Sequence, residues 1–211
     1  MDSKIGIIRE LKKAYPNAKY YLNFSNPLEL MVAAILSAQV KDEVVNDVTK
    51  NLFSKYKTAS DYANCNISEL EDRIKRVTFY RNKAKNIKEA CRILVSKNDG
   101  NVPRKMDELL ELPGIARKPA NVILANAYDI VEGIRVDSHF IRVSYRLGWT
   151  KSKNPVVIEK DCMNAISKEN WKELPWLLKS HGKGVCKAPV PYCSKCFLKD
   201  VCPKQGVGKR L

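Results

Sequence analysis

A chain of 211 residues suits one domain or two small ones, and 45 % apolar with 29 % charged residues is the balance of a globular protein, not a disordered one. The longest apolar run, residues 30–36, is far too short to span a bilayer, and Met1-Asp2-Ser3-Lys4 carries no signal-peptide core, so an intracellular, soluble protein with no membrane partner is expected. A net charge of +15 points to a polyanionic partner, most commonly nucleic acid. Residues 183–211 hold seven basic side chains against Asp200 alone, so one end of the molecule is a basic face.

The pattern along the chain is helix after helix. Asp2 or Ser3 can cap a first helix that turns Ile5, Ile8 and Leu11 inward and stops at Pro16-Asn17. Asn26-Pro27 opens a strongly apolar helix through Leu36, with the look of an element buried on nearly all sides. Asp42 is placed to cap a third helix with Val45, Val48 and Leu52 as its stripe. Asn66 with Glu69 three residues on matches a capping box ahead of Leu70 and Ile74. Ala84, Ile87, Cys91 and Leu94 form one face of another helix, ended by Asp99-Gly100. Asn154-Pro155 starts a later helix, and residues 171–181 make one more, stopped by Gly182. No stretch alternates with period two, so the fold class is all-α; the best break in the pattern is the non-helical stretch 129–136.

One run organises the rest: Leu112-Pro113-Gly114-Ile115-Ala116-Arg117-Lys118-Pro119-Ala120-Asn121. Leu109, Leu110 and Leu112 close one helical pattern, which Pro113-Gly114 forbid from continuing. Apolar spacing resumes at Ala120, Ile123, Leu124 and Ala127, and Pro119 fits a first turn, where a missing N–H costs nothing. Two helices joined by a tight hairpin follow, and the start of the second favours an anion such as phosphate. Lys118 stands in that first turn beside Arg117. The helix dipole and the neighbouring cation both favour its neutral, nucleophilic amine, although a solvated surface lysine fits the run as well. Val136-Asp137-Ser138-His139 follows, where Asp137 can cap a helix over 138–147, act as a catalytic carboxylate, or do both. His139 and His181 read as structural.

Cys65, Cys91 and Cys162 sit in helical or apolar surroundings and read as core residues. Cys186, Cys193, Cys196 and Cys202 differ: four thiols within seventeen residues, interrupted by Pro189 and Pro191, cannot pack as a helix face. They suit a metal better than disulfides in an intracellular protein. Zinc and a 4Fe–4S cluster both take four cysteines, and the single Cys-x2-Cys unit leans toward iron–sulfur without deciding it.

Taken together, the hairpin, the Val-Asp-Ser-His segment and the cysteine tail resemble the endonuclease III family of helix-hairpin-helix DNA glycosylases. The resemblance runs from Leu22-Asn23-Phe24-Ser25 through Leu36-Ser37-Ala38-Gln39 to Cys202. It implies a six-helix barrel domain over residues 20–131 and an iron–sulfur domain built from 1–19 and 132–211, with DNA across the cleft between them. It puts the catalytic lysine at Lys118, the catalytic aspartate at Asp137, and the 4Fe–4S ligands at Cys186, Cys193, Cys196 and Cys202. Gln39 and Phe79 become the wedges that fill the gap left by a flipped base, and Gly114, Ala116, Arg117 and Lys187 further DNA contacts. The implied partner is double-stranded DNA with damaged bases or abasic sites, bound by a monomer in the cytoplasm or nucleoid.

The chain departs from the family pattern at Ala116, where a second glycine is usual; this predicts slight strain or an altered phosphate contact. Pro119 replaces a common threonine, Lys41 replaces a small polar residue, and Lys187 is the one basic residue of the loop before Cys193. The implied activity is base release from oxidised pyrimidines with β-elimination 3′ to the site. A monofunctional mismatch (uracil or thymine) glycosylase and a non-catalytic DNA-binding module are the alternatives.

Overall fold

A computed structural model describes residues 3–211, which form helices joined by loops, with no strand among the described residues. The chain divides into two compact units, one of residues 21–132 and one that joins the N-terminal segment up to Tyr20 with residues 133–211.

The first unit is built round α2 (Pro27–Leu36), which packs against α3 (Asp42–Lys55), α6 (Tyr80–Lys97) and α8 (Arg117–Ala127). Asn26 caps α2 through its side chain, which accepts from the Glu29 N–H, and every residue from Leu30 to Leu36 is buried, as the apolar run predicts. A fully buried leucine contributes about 1.5–3 kcal/mol, so Leu30 and Leu36 outweigh any single surface ion pair in holding this helix. Two caps differ from the expected ones. Lys41, not Asp42, is the N-cap of α3 and makes no side-chain cap bond; Asp42 lies one residue inside, where its charge still complements the helix dipole. Asn66 does cap α5 (Ile67–Ile74), but it accepts from Ser68, and no reciprocal box forms: Glu69 instead pairs with Arg73 and Lys55. The capping box belongs to α4 (Ala59–Asn64), where Thr58 and Asp61 exchange bonds. That short helix is absent from the expected elements.

The hairpin joins α7 (Met106–Leu110) to α8, and its turn is set by Gly114 at φ +82°. A Cβ there would meet Asn86 Nδ2 at 3.0 Å and Ile35 Cγ2 at 3.3 Å, so glycine is required by conformation and by close approach. Of the three leucines, Leu109 and Leu112 are buried and Leu110 is 45 % exposed, because α7 ends one turn after it begins.

In the second unit, α1 (Ser3–Ala14), α9 (Ser138–Arg146), α10 (Pro155–Ala165) and α11 (Leu174–Gly184) share a core of Ile7, Leu11, Phe140, Val143, Ile158, Leu174 and Leu178. Ile7 takes the inward place expected of Ile5, which is half exposed. Ser3 is the first helical residue of α1, and the other expected cap, Asp2, lies outside the described residues. Gly182 does not stop α11, which runs to Gly184. Its role is contact: a Cβ would fall 2.8 Å from His139 Nδ1 and 3.0 Å from Arg142 Nη2, so α9 and α11 pack this closely only over a glycine. Cys65, Cys91 and Cys162 are buried, as read from the sequence.

Candidate active site and cysteine cavity

The sequence of the hairpin places Lys118 as the second residue of α8, exposed, with Arg117 before it and Pro119 after it. Ala116 is the N-cap, and an alanine offers no side-chain acceptor, so the N-cap residue makes no side-chain bond to the first turn. Its φ is −96° and its ψ 176°, extended backbone open to any residue. The expected strain at Ala116 is therefore absent, since only Gly114 of the hairpin needs a left-handed conformation.

Asp137 is the N-cap of α9, with Oδ1 accepting from the Phe140 N–H at 2.8 Å. Its second oxygen, Oδ2, lies 3.3 Å from Arg135 Nη2 in a pair whose side chains are 9 % and 13 % exposed. The Arg135 guanidinium also stacks over the Trp176 ring at 4.8 Å, and its Nη1 is buried without a hydrogen-bond partner. The cap and the ion pair fix both carboxylate oxygens. Arg135 was not among the expected site residues; its place two positions before Asp137 is the only signal the sequence carries. Lys118 belongs to the unit of residues 21–132 and Asp137 to the other.

Gln39 and Phe79 both stand in loops of the first unit. Gln39, in the loop after α2, is exposed with φ 57°, and Phe79, the N-cap of α6, is 63 % exposed with φ 58°. Non-glycine residues in the left-handed region are uncommon and cluster at sites where the surroundings over-determine them. Between the two loops lies a residue that the sequence reading passed over. Lys83 is buried on the inner face of α6, and its ammonium donates to the carbonyls of Leu36 at 2.9 Å and Ala38 at 2.5 Å. Burial pushes that amine down to about 8. Its signal was present, since Lys83 lies four residues before Ile87 and eight before Cys91, on the stripe those residues form.

The four tail cysteines line one cavity, together with Arg146, His181, Tyr192 and Leu198 among others. All four are free and partly buried. Burial first, and then the neighbouring sulfurs, raise the Cys196 and Cys202 thiols above their ordinary range. A set of closely placed buried thiolates is thus stable only with cationic compensation. Among the described residues no three His, Cys, Asp or Glu side chains converge as ligands of a single ion. Two arginines one turn apart on α9 hold the loop before Cys193. Arg142 donates to the carbonyls of Gly182 and Cys186, and Arg146 to those of Cys186, Lys187 and Pro189 and to Cys186 Sγ at 3.4 Å. The Lys187 ammonium sits over the Tyr192 ring at 5.1 Å, on an exposed part of that loop. His181 is buried, 3.1 Å from the Tyr15 hydroxyl and 3.7 Å from Cys196 Sγ, and His139 contacts Arg142, so both histidines serve packing.

The family model of the HhH-GPD superfamily of base excision DNA repair proteins matches residues 32–168. The endonuclease III of Synechocystis sp. is 47 % identical over 197 residues, covering 93 % of this chain and 90 % of its own. That of Bacillus subtilis is 43 % identical, covering 93 % and 92 %. This chain belongs to the endonuclease III family. Among solved structures, an endonuclease III–DNA trapped covalent intermediate superposes with a TM-score of 0.90 at 41 % identity, covering 97 % of this chain and 96 % of that one. A thermostable thymine-DNA glycosylase shares the fold with a TM-score of 0.84 at 20 % identity. The endonuclease III fold, all-α with the helix-hairpin-helix, is thus the fold of this protein. No helix among the described residues is long and apolar enough to cross a membrane.

Proposed function

We propose that this protein is a base-excision repair DNA glycosylase and AP lyase that releases oxidised pyrimidines from duplex DNA and nicks the strand 3′ to the resulting site. The observation that carries the reading is Lys118 in the first turn of α8, directly after the Gly114 turn, in a chain 41 % identical to an endonuclease III trapped covalently on DNA.

Reaching C1′ of a damaged nucleotide requires drawing it out of the stack, at a cost of a few kcal/mol. Gln39 and Phe79 offset that cost by occupying the hole, and their exposure on left-handed loops supports the role. The hairpin at Gly114, Ala116 and Arg117 and the loop at Lys187 hold phosphates. The Lys118 amine attacks C1′ as the C1′–N bond breaks and the base leaves with the electron pair. Asp137 stabilises the positive charge that grows on the sugar and takes part in removing the amine proton. The C1′–O4′ bond then opens, O4′ taking a proton, to leave a Schiff base at Lys118 that acidifies C2′–H; loss of that proton expels the 3′ phosphate by β-elimination, and water then releases the enzyme. A monofunctional mismatch glycosylase or a non-catalytic module would leave a lysine at this place without a task. The protein acts as a monomer on cellular DNA, inside the cell. Duplexes each carrying one lesion (thymine glycol, dihydrouracil, a uracil mispair) test the reading: base release and a nick on the oxidised pyrimidines are expected. Binding with neither product would support the non-catalytic module.

Cys186, Cys193, Cys196 and Cys202 would hold a 4Fe–4S cluster. Four cysteine thiols lining one cavity are the donor set that a 4Fe–4S cluster takes, and the single Cys-x2-Cys unit favours it over zinc. The cluster, when bound, supplies cross-linking and positive compensation to the thiolates and no redox step. Arg142 and Arg146 then hold the Lys187 loop against that frame. Purified protein should be yellow-brown with about four irons per chain. Colourless protein with one zinc would overturn this assignment.

A further inference from the structure

We propose that Lys83 is a positioning residue that holds the Gln39 and Phe79 loops as one wedge. The inference rests on the reading of Gln39 and Phe79 as the residues that fill the vacated base position.

The two loops are forty residues apart in sequence, yet both meet Lys83, the first through its side chain and the second through its backbone N–H. The Lys83 ammonium donates to the Leu36 and Ala38 carbonyls, the second immediately before Gln39. Its own backbone N–H donates to the Phe79 carbonyl at 3.1 Å. Thus the last turn of α2, the Gln39 loop and the first turn of α6 meet at a single residue. A lysine suits this place because the final carbonyls of a helix lack intrahelical donors and favour a cation. Burying a charge with carbonyl partners only is nevertheless costly, and burial alone lowers the affinity of this amine for its proton. A methionine would fill the same space without that cost, so packing does not account for the charge.

What accounts for it is the backbone at the tips. Gln39 and Phe79 both hold left-handed conformations without being glycine, with φ of 57° and 58°. Such conformations persist only where neighbouring structure fixes them. The Lys83 ammonium binds the carbonyl before Gln39, while its backbone N–H makes the first helical bond of α6 to the Phe79 carbonyl, so the side chain ties the Gln39 loop to the turn that Phe79 caps. Losing the ammonium would free the Gln39 loop to relax, so that the two tips no longer enter the stack together.

The test compares base release from a paired thymine glycol with borohydride trapping on a preformed abasic site, which needs little unstacking, for wild type, Gln39→Ala, Phe79→Ala, Lys83→Met and Lys83→Arg. Lys83→Met is expected to lower the ratio of base release to trapping about tenfold, since the wedges offset an unstacking cost of a few kcal/mol. Lys83→Arg, which keeps charge and donors, should recover part of the ratio. Lys83→Met should add little in a background already lacking both wedge side chains, because residues acting as one unit are non-additive. A mere structural role predicts equal losses on both substrates with a lower melting temperature, and that result overturns the proposal. Selective losses for Gln39→Ala and Phe79→Ala but an unchanged ratio in Lys83→Met would also overturn it, while leaving the wedge reading intact. Equal losses for Gln39→Ala and Phe79→Ala would instead remove the wedge reading itself. If Lys83→Met yields no folded protein, Lys83→Gln, with one amide donor retained, is held to the same ratio.

Discussion

Lys118→Gln should reduce the strand nick at an abasic site to background while leaving DNA affinity nearly unchanged. The residue is exposed, so its replacement leaves no cavity and strands no buried group, and folding should be unaffected. One lost charge lowers the slope of log affinity against log salt by only about one unit. The chemistry is different in kind, because glutamine has no lone pair able to form the Schiff base on which β-elimination depends. Nicking of abasic DNA measured beside binding at two salt concentrations separates these effects. A variant that binds weakly and still nicks at the wild-type rate would place Lys118 among the phosphate contacts.

Asp137→Asn should lower turnover by about 10²–10⁴-fold, the usual scale for losing a positioned acid–base group. Asparagine can still accept from the Phe140 N–H, so the cap of α9 survives. The ion pair does not. Arg135, largely buried and with one nitrogen already unpartnered, would face a neutral amide. A stability loss of about 1–3 kcal/mol follows from stranding that group. Asp137→Ala should lose a further ~1 kcal/mol for the cap, and the difference between the two variants isolates it. Single-turnover rates and thermal unfolding of both variants check the division. A normal rate in Asp137→Asn would leave the carboxylate as a cap alone.

The parts of this molecule written in local pattern were legible in its sequence. Apolar spacing located the faces of α2, α3, α6 and α8, Asn26-Pro27 and Asn154-Pro155 marked the starts of α2 and α10, and Pro113-Gly114 marked the hairpin turn. Cysteine spacing gathered the four thiols that line one cavity. What stayed hidden depended on where side chains travel in space. Arg135 reaches Asp137 and Trp176, Arg146 reaches the carbonyls of a loop forty residues away, and Gly182 yields to His139 instead of ending a helix. Ala116 shows the converse: a residue-type argument anticipated strain where the backbone is simply extended. Lys83 is the instructive omission. Its spacing put it on the buried stripe, and the expectation that lysines stay in water concealed it.

The central claim is that the Lys118 amine forms a covalent bond to C1′ of the lesion, and borohydride trapping measures that bond directly. Wild-type protein mixed with a duplex carrying one abasic site, reduced and digested, should yield a single DNA-bearing peptide whose modified residue is Lys118. Lys83 is the informative rival, being an amine that burial brings down to about 8. An adduct at Lys83 or at any other amine, or base release with no adduct in the wild-type protein, would contradict the account.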